Sequence, residues 1–277
     1  MSNEKRYTII ASLIYLVHSA EWQKPFAIGL IASYNLLVAR YPHNIKIYKK
    51  WTHLLVVFCI IILPIVFILL AGSISQISTN SLILGLGLSF YRLLIAYAIS
   101  LVLGILLAVT LGHGKLGDFF IPVFDLFQNL PSFALIPVFV ILFGYTNKMA
   151  VLFTASSVLW PILFSILSAL RTAKTDYNEA ATIFGATGLK RILYYLIPLS
   201  FPAIVTGSIV GISIGWEAVI GVEIIGLSNG IGSFLNSAAQ SDKQVLALGI
   251  ITLLLLVFSI NRLVWMPLLR KSQLYAE

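Results

Sequence analysis

Polar residues along most of this chain are too sparse to form an alternating or one-sided pattern. Long apolar runs stand out instead, at 54–72, 92–111, 119–143, 150–170, 196–221 and 244–264. An unbroken run of about 20 residues predicts a helix that crosses a bilayer, because a rise of about 1.5 Å per residue then matches a hydrocarbon core about 30 Å thick. Membrane barrel strands would instead alternate with a period of two. Two shorter runs, 8–17 and 26–39, are separated by His18, Glu21 and Lys24. Runs of that length more often lie in the interface than span, and interfacial helices are expected there. Lys5 and Arg6 ahead of 8–17 resemble the start of a signal peptide. The spans that follow favour an uncleaved cytoplasmic N-terminus.

Composition sharpens this to an all-α integral membrane protein. Hydrophobic residues make up 59% of the 277 and charged residues 10%, against about 25% charged in soluble domains. The net charge of +8 does not point to nucleic acid, because the basic residues sit in the short connections between apolar runs. With the N-terminus placed in the cytoplasm, only Arg92, Lys148 and Lys243 of the 18 Lys and Arg residues fall outside or at outer ends. That bias sets the orientation, and six spans return the C-terminus to the cytoplasm. Trp51, Tyr91 and Trp265 are expected as interface anchors. A single cysteine, Cys59, excludes an internal disulfide, and His18, His43, His53 and His113 show no metal-ligand spacing.

The connection between the fourth and fifth spans is polar and helix-forming. Asp176 reads as a helix N-cap with Glu179 three residues on, both suited to the positive end of a helix dipole. Ala180, Ala181 and Ala186 keep one surface small, and Gly185 and Gly188 allow a turn or a close approach. Such a segment is either a solvated connector or a helix that docks into a groove on another protein. Glu179-Ala180-Ala181, three residues, Gly185, nine residues and Tyr195-Leu196-Ile197-Pro198 resemble the EAA loop of binding-protein-dependent ABC importer permeases. Tyr195 and Ile197 replace the usual aliphatics. The segments 131–137, Trp160-Pro161, 223–226 and 230–232 are similar to the nitrate, sulfonate and taurine branch of that family, and the likeness covers about 80–268.

The resemblance implies the type I importer permease fold with about six transmembrane helices. It also implies a coupling helix at 176–198, carried by Asp176, Glu179, Ala180, Ala181, Gly185, Ala186 and Pro198, that inserts into a cytoplasmic ABC ATPase. The expected organisation is an N-terminal extension at 1–50, a first transmembrane helix and outer loop at 51–80, and a permease core at 81–270 with the coupling loop at 171–191. No phosphate loop of the form G-x-x-x-x-G-K-[ST] is present, and Gly112-His113-Gly114-Lys115-Leu116 lacks its spacing. The chain is therefore expected to be no enzyme and to bind no cofactor or metal itself, with ATP and Mg on the partner ATPase. Implied partners are a second permease copy, two ATPases, an extracytoplasmic solute-binding protein docking near 73–88, 145–149 and 227–243, and the lipid bilayer.

Polar residues inside the spans are candidates for the pathway. Asp125, Gln128, Asn129 and Ser132 recur at helical spacing in the third span, which Pro122, Pro131 and Pro137 are expected to bend. The stripe lines the translocation pathway or hydrogen-bonds between helices. Glu217, with Ser213 one turn earlier, is expected in an interior position, where it lines the pathway, pairs with Arg92 or stays protonated. Arg92 itself is expected to snorkel to the outer interface. The resemblance puts Glu223 near the outer gate, as a structural hydrogen-bonding group or a substrate contact. Gly207, Gly211 and Gly215 form a small-residue face, read as packing within the subunit rather than against a second copy. By branch the solute is a small anion such as nitrate, a sulfonate such as taurine, or bicarbonate. Pyrimidine precursors of vitamins are the alternative. An ion-coupled secondary transporter is the second class, but it predicts inverted repeats that are not seen. An intramembrane enzyme lacks its clustered nucleophile, base or metal set.

Overall fold

The computed structural model describes residues 79–112, 114–173 and 175–273. Within them every regular element is helical. α1 spans Thr79–Leu111 and α2 Gly114–Gln128; a 3₁₀ turn, Ser132–Leu135, leads into α3, Ile136–Phe143. α4 is Asn147–Arg171, α5 Thr175–Ile183 and α6 Gly188–Arg191. A π turn, Ile192–Leu196, joins α6 to α7, Ile197–Gly226. α8 is Ile231–Ser241 and α9 Lys243–Ile260, and a second π turn, Asn261–Trp265, passes into α10, Met266–Gln273.

Among the described residues, four continuous helical stretches are long and apolar enough to cross a membrane: Asn80–Leu111, Asn147–Arg171, Gly188–Gly226 and Lys243–Ser272. The third expected span is instead bent by 88° between Leu116–Gln128 and Ser132–Phe143, giving a fifth crossing if that pair counts as one. The expected span at 54–72 and the interfacial segments at 8–17 and 26–39 lie outside the described residues.

α4 is the axis of the bundle. More than half of its most apolar window is buried, 56% against 17% for the last span. Thr146 caps it by accepting from the Met149 N–H at 3.3 Å. α1 presents Leu82, Leu86, Ser89, Leu93, Ala96, Ser100, Gly104 and Ala108 inward, a stripe at three- and four-residue spacing. Its opposite side, with Leu84, Leu94, Val102 and Leu106, is open. Lipid is as apolar as leucine, so burial alone does not hold these helices together; close backbone approach and buried polar contacts do.

Gly207, Gly211 and Gly215 supply the close approach. They lie against Pro161, Ile162 and Val158 of α4, so the small-residue face of α7 packs within the subunit. A Cβ at Gly207 would sit 2.8 Å from the Pro161 carbonyl oxygen and 2.9 Å from Ile162 Cα, backbone atoms that cannot rotate away. Gly207→Ala is expected to destabilise by about 1–3 kcal/mol, read as a lower thermal midpoint in detergent. Gly87→Ala, where a Cβ meets nothing within 4 Å among the described residues, is the matched control.

Four expectations change at this level. α1 begins at Thr79, so 79–88 is helix rather than outer loop. The stretch 227–243 contains α8, which buries Ile231, Gly232, Leu235 and Ala238. Trp265 is no interface anchor: it is buried, edge-on to Tyr97 with ring centroids 6.0 Å apart, whereas Tyr91 is exposed. The helix after α4 starts at Thr175, which puts Asp176 inside its first turn rather than at the N-cap.

Candidate functional site

At one end of the bundle, α5 and the π turn enclose an open cavity of about 660 Å³. Ala180, Ala181, Gly185, Ala186 and Pro198, five of the seven residues singled out in this segment, line it together with Tyr194. Glu179 is exposed outside the cavity. The geometry explains the glycine. The Ala186 N–H donates to Ala181 O at 2.9 Å and the Gly185 N–H to Thr182 O at 3.0 Å, the paired bonds of a Schellman ending. Gly185 stands at its left-handed position with φ +71°. Ile183 and Phe184, exposed at 82% and 87%, project from this end as large apolar groups. Sequence reasoning passed over both, and over Tyr194, because its attention lay on the small residues between them. Tyr195 buries its hydroxyl with no hydrogen-bond partner among the described residues.

The opposite end holds a buried polar cluster. Arg92 from α1 is 2% exposed and Glu223 from α7 is fully buried, with Nη1 2.5 Å from Oε1. The other guanidinium N–H groups reach Asn147 Oδ1 at 3.0 Å from Nε and 2.6 Å from Nη2, Asn229 O at 3.0 Å and Asn229 Oδ1. All five donors of the arginine are thereby used. Glu223 also accepts from the Gly232 N–H at 2.9 Å, and Ser89 Oγ lies 2.7 and 2.8 Å from its two oxygens while accepting from the Ile231 N–H. The cluster ties α1, the start of α4, the end of α7 and the turn into α8. Gly230, at φ +113°, makes room for it: a Cβ there would lie 2.2 Å from Glu223 Cδ.

Arg92 therefore does not snorkel, and its carboxylate partner is Glu223 rather than Glu217. Ser89, Asn147 and Asn229 were missed by sequence reasoning. The Ser-Asn-Gly run at 228–230 was the available signal, a turn whose side chains satisfy buried backbone and charge.

The expected polar stripe is divided by the bend. Asp125 and Gln128 lie on α2, with Gln128 Nε2 3.1 Å from Asp125 Oδ1. Asn129 donates back to Asp125 O at 2.7 Å, and Ser132 stands beyond the break in the 3₁₀ turn. Pro131 supplies no N–H, so the ladder cannot continue through the elbow. Glu217 and Ser213 lie on an exposed face of α7. No group of three or more His, Cys, Asp or Glu among the described residues is placed to hold a metal.

A bundle of long apolar helices, broken once among the described residues and carrying a polar segment at one end, is that of a multi-pass membrane protein. Residues 100–266 match the family described as binding-protein-dependent transport system inner membrane component; the chain belongs to that family, whose fold is that of type I ABC importer permeases. It is 28% identical over 189 residues to the nitrate import permease protein NrtB of Synechococcus elongatus, covering 65% of this chain and 68% of that protein. It is 24% identical over 175 residues to the taurine transport system permease protein TauC of Escherichia coli, covering 62% and 64%. To the bicarbonate transport system permease protein CmpB of Synechococcus elongatus it is 26% identical over 157 residues, 56% of each chain. The chain thus spans about two thirds or less of the length of these relatives.

Proposed function

We propose that this chain is the membrane-spanning subunit of an ATP-driven importer, that two copies form the translocation pathway, and that the 176–198 segment couples each copy to a cytoplasmic ATPase. The observation that carries this reading is the convergence of Ala180, Ala181, Gly185, Ala186 and Pro198 on one open groove, flanked by exposed Ile183 and Phe184. Large apolar side chains beside a small-residue groove favour a protein partner over bulk water. ATP and Mg belong to that partner, and an extracytoplasmic binding protein delivers the solute at the end that bears Glu223. The core at 81–270 performs the transport, and 1–50 and 51–80 precede it as an extension and a first span. Closing of two ATPases moves the coupling segments together, a rigid-body change between two packed states. The names of the relatives support a small solute of the nitrate, taurine or bicarbonate kind.

The test is co-purification from native membranes. An ATPase bearing a phosphate loop is expected to copurify with the tagged chain, and Asn178→Cys is expected to react with impermeant thiol reagents only from the cytoplasmic side. Labelling from the opposite side would overturn the reading.

A further inference from the structure

Glu217 is the mid-span acid that the Arg92 cluster leaves unused. It lies nine residues before the end of α7 at Gly226, about 14 Å into the helix at 1.5 Å per residue. The side chain is exposed and has no ion-pair or hydrogen-bond partner among the described residues. A carboxylate at that depth does not face lipid; it faces water or protein. The elbow of the broken helix shows which. One turn beyond Glu217, Gly221 lies under Phe133 of the 3₁₀ turn, so close that a Cβ there would sit 2.2 Å from the ring. The face of α7 that carries Glu217 therefore runs toward the 3₁₀ turn Ser132–Leu135, which follows the non-helical break at 129–131. Such backbone is tolerated at membrane depth only where it is buried in protein or lines a wet cavity.

The chemistry of this face is one-sided. Ser213 and Thr206 are exposed on it, and each hydroxyl donates to its own helix, to Ile209 O at 3.0 Å and Pro202 O at 3.0 Å. Their free lone pairs, like the Glu217 oxygens, only accept. Arg92 is fully used by Glu223, Asn147 and Asn229.

We propose that Glu217 is a specificity-determining residue of the translocation pathway and selects a solute that carries a cationic or N–H-rich group. This rests on the permease reading above. It favours an ammonium-bearing solute such as an aminosulfonate over a bare oxyanion, which an acceptor-only wall repels.

The test uses Ser213→Cys in a Cys59→Ser background of the full chain, in right-side-out and inverted membrane vesicles. The rates of a trimethylammonium and a sulfonate methanethiosulfonate reagent are each normalised to a free thiol. The cationic reagent is expected to be favoured about tenfold by one nearby negative charge. Glu217→Gln is expected to abolish the preference and Glu217→Asp to retain it; Glu217→Ser replaces the glutamine variant if that variant fails to reach the membrane. Absence of labelling from both sides, equal rates, or a preference that survives Glu217→Gln overturns the proposal. The ATPase association that tests the permease reading is untouched by any of these outcomes, so the two fail separately.

Discussion

Arg92→Ala and Glu223→Ala are each expected to destabilise the protein by about 3–5 kcal/mol, because either leaves one buried charge without its counter-ion. Both groups are at most 2% exposed. Removing the arginine also strips donors from Asn147 and Asn229, and removing the glutamate frees the Gly232 N–H and Ser89. The thermal midpoint in detergent is expected to fall by roughly 10 °C for either variant. The double variant Arg92→Met/Glu223→Met is expected to lose less than the sum of the two, since an apolar pair leaves no uncompensated charge. Additive losses would show that the two side chains do not depend on each other. Because the cluster holds the turn into α8, the same variants are expected to raise hydrogen exchange first at 230–235, ahead of the axis helix α4.

This cluster also shows where sequence reasoning stops. The apolar spans were legible because a bilayer imposes one length and one polarity on any helix that crosses it. The short helix between the fourth and fifth spans was legible because its polar and small residues are close in sequence and Gly185 allows a turn at its end. Arg92 and Glu223 are 131 residues apart, and nothing local at either position names the other. An arginine near the start of an apolar run therefore read as snorkelling, the usual solution when no partner is known. The broken helix was half legible. Pro122, Pro131 and Pro137 were noted as bends, yet helical spacing was still carried from Asp125 to Ser132, and the break at 129–131 separates them. α8 was passed over because its polar residues resemble a loop, although Ile231, Leu235 and Ala238 keep helical spacing on its buried side. Trp265 was misassigned for a related reason. Aromatics near span ends usually face the interface, but the π turn at Asn261–Trp265 turns this one inward against Tyr97.

Gly185→Val is expected to abolish recovery of the ATPase with the chain, by tenfold or more, while the amount of chain in the membrane stays unchanged. A Cβ at Gly185 meets nothing within 4 Å among the described residues, so no clash there accounts for the effect. It comes from the backbone. At φ +71° a β-branched residue is strained by about 1–3 kcal/mol. The cheapest relief is to release the Ala186→Ala181 and Gly185→Thr182 bonds that end the helix. Ile183 and Phe184 then lose the positions they hold beside the groove. The strain is local to an exposed segment outside the packed core, so the spans remain folded and insertion survives. A graded series separates conformation from bulk. Asparagine tolerates the left-handed region, so Gly185→Asn is expected to keep most of the ATPase recovered with the parent chain. Gly185→Ala is expected to fall between asparagine and valine although it is the smaller side chain. Losses that follow side-chain volume instead would place Gly185 in direct contact with the partner, and full recovery with valine would remove the helix ending from the coupling mechanism.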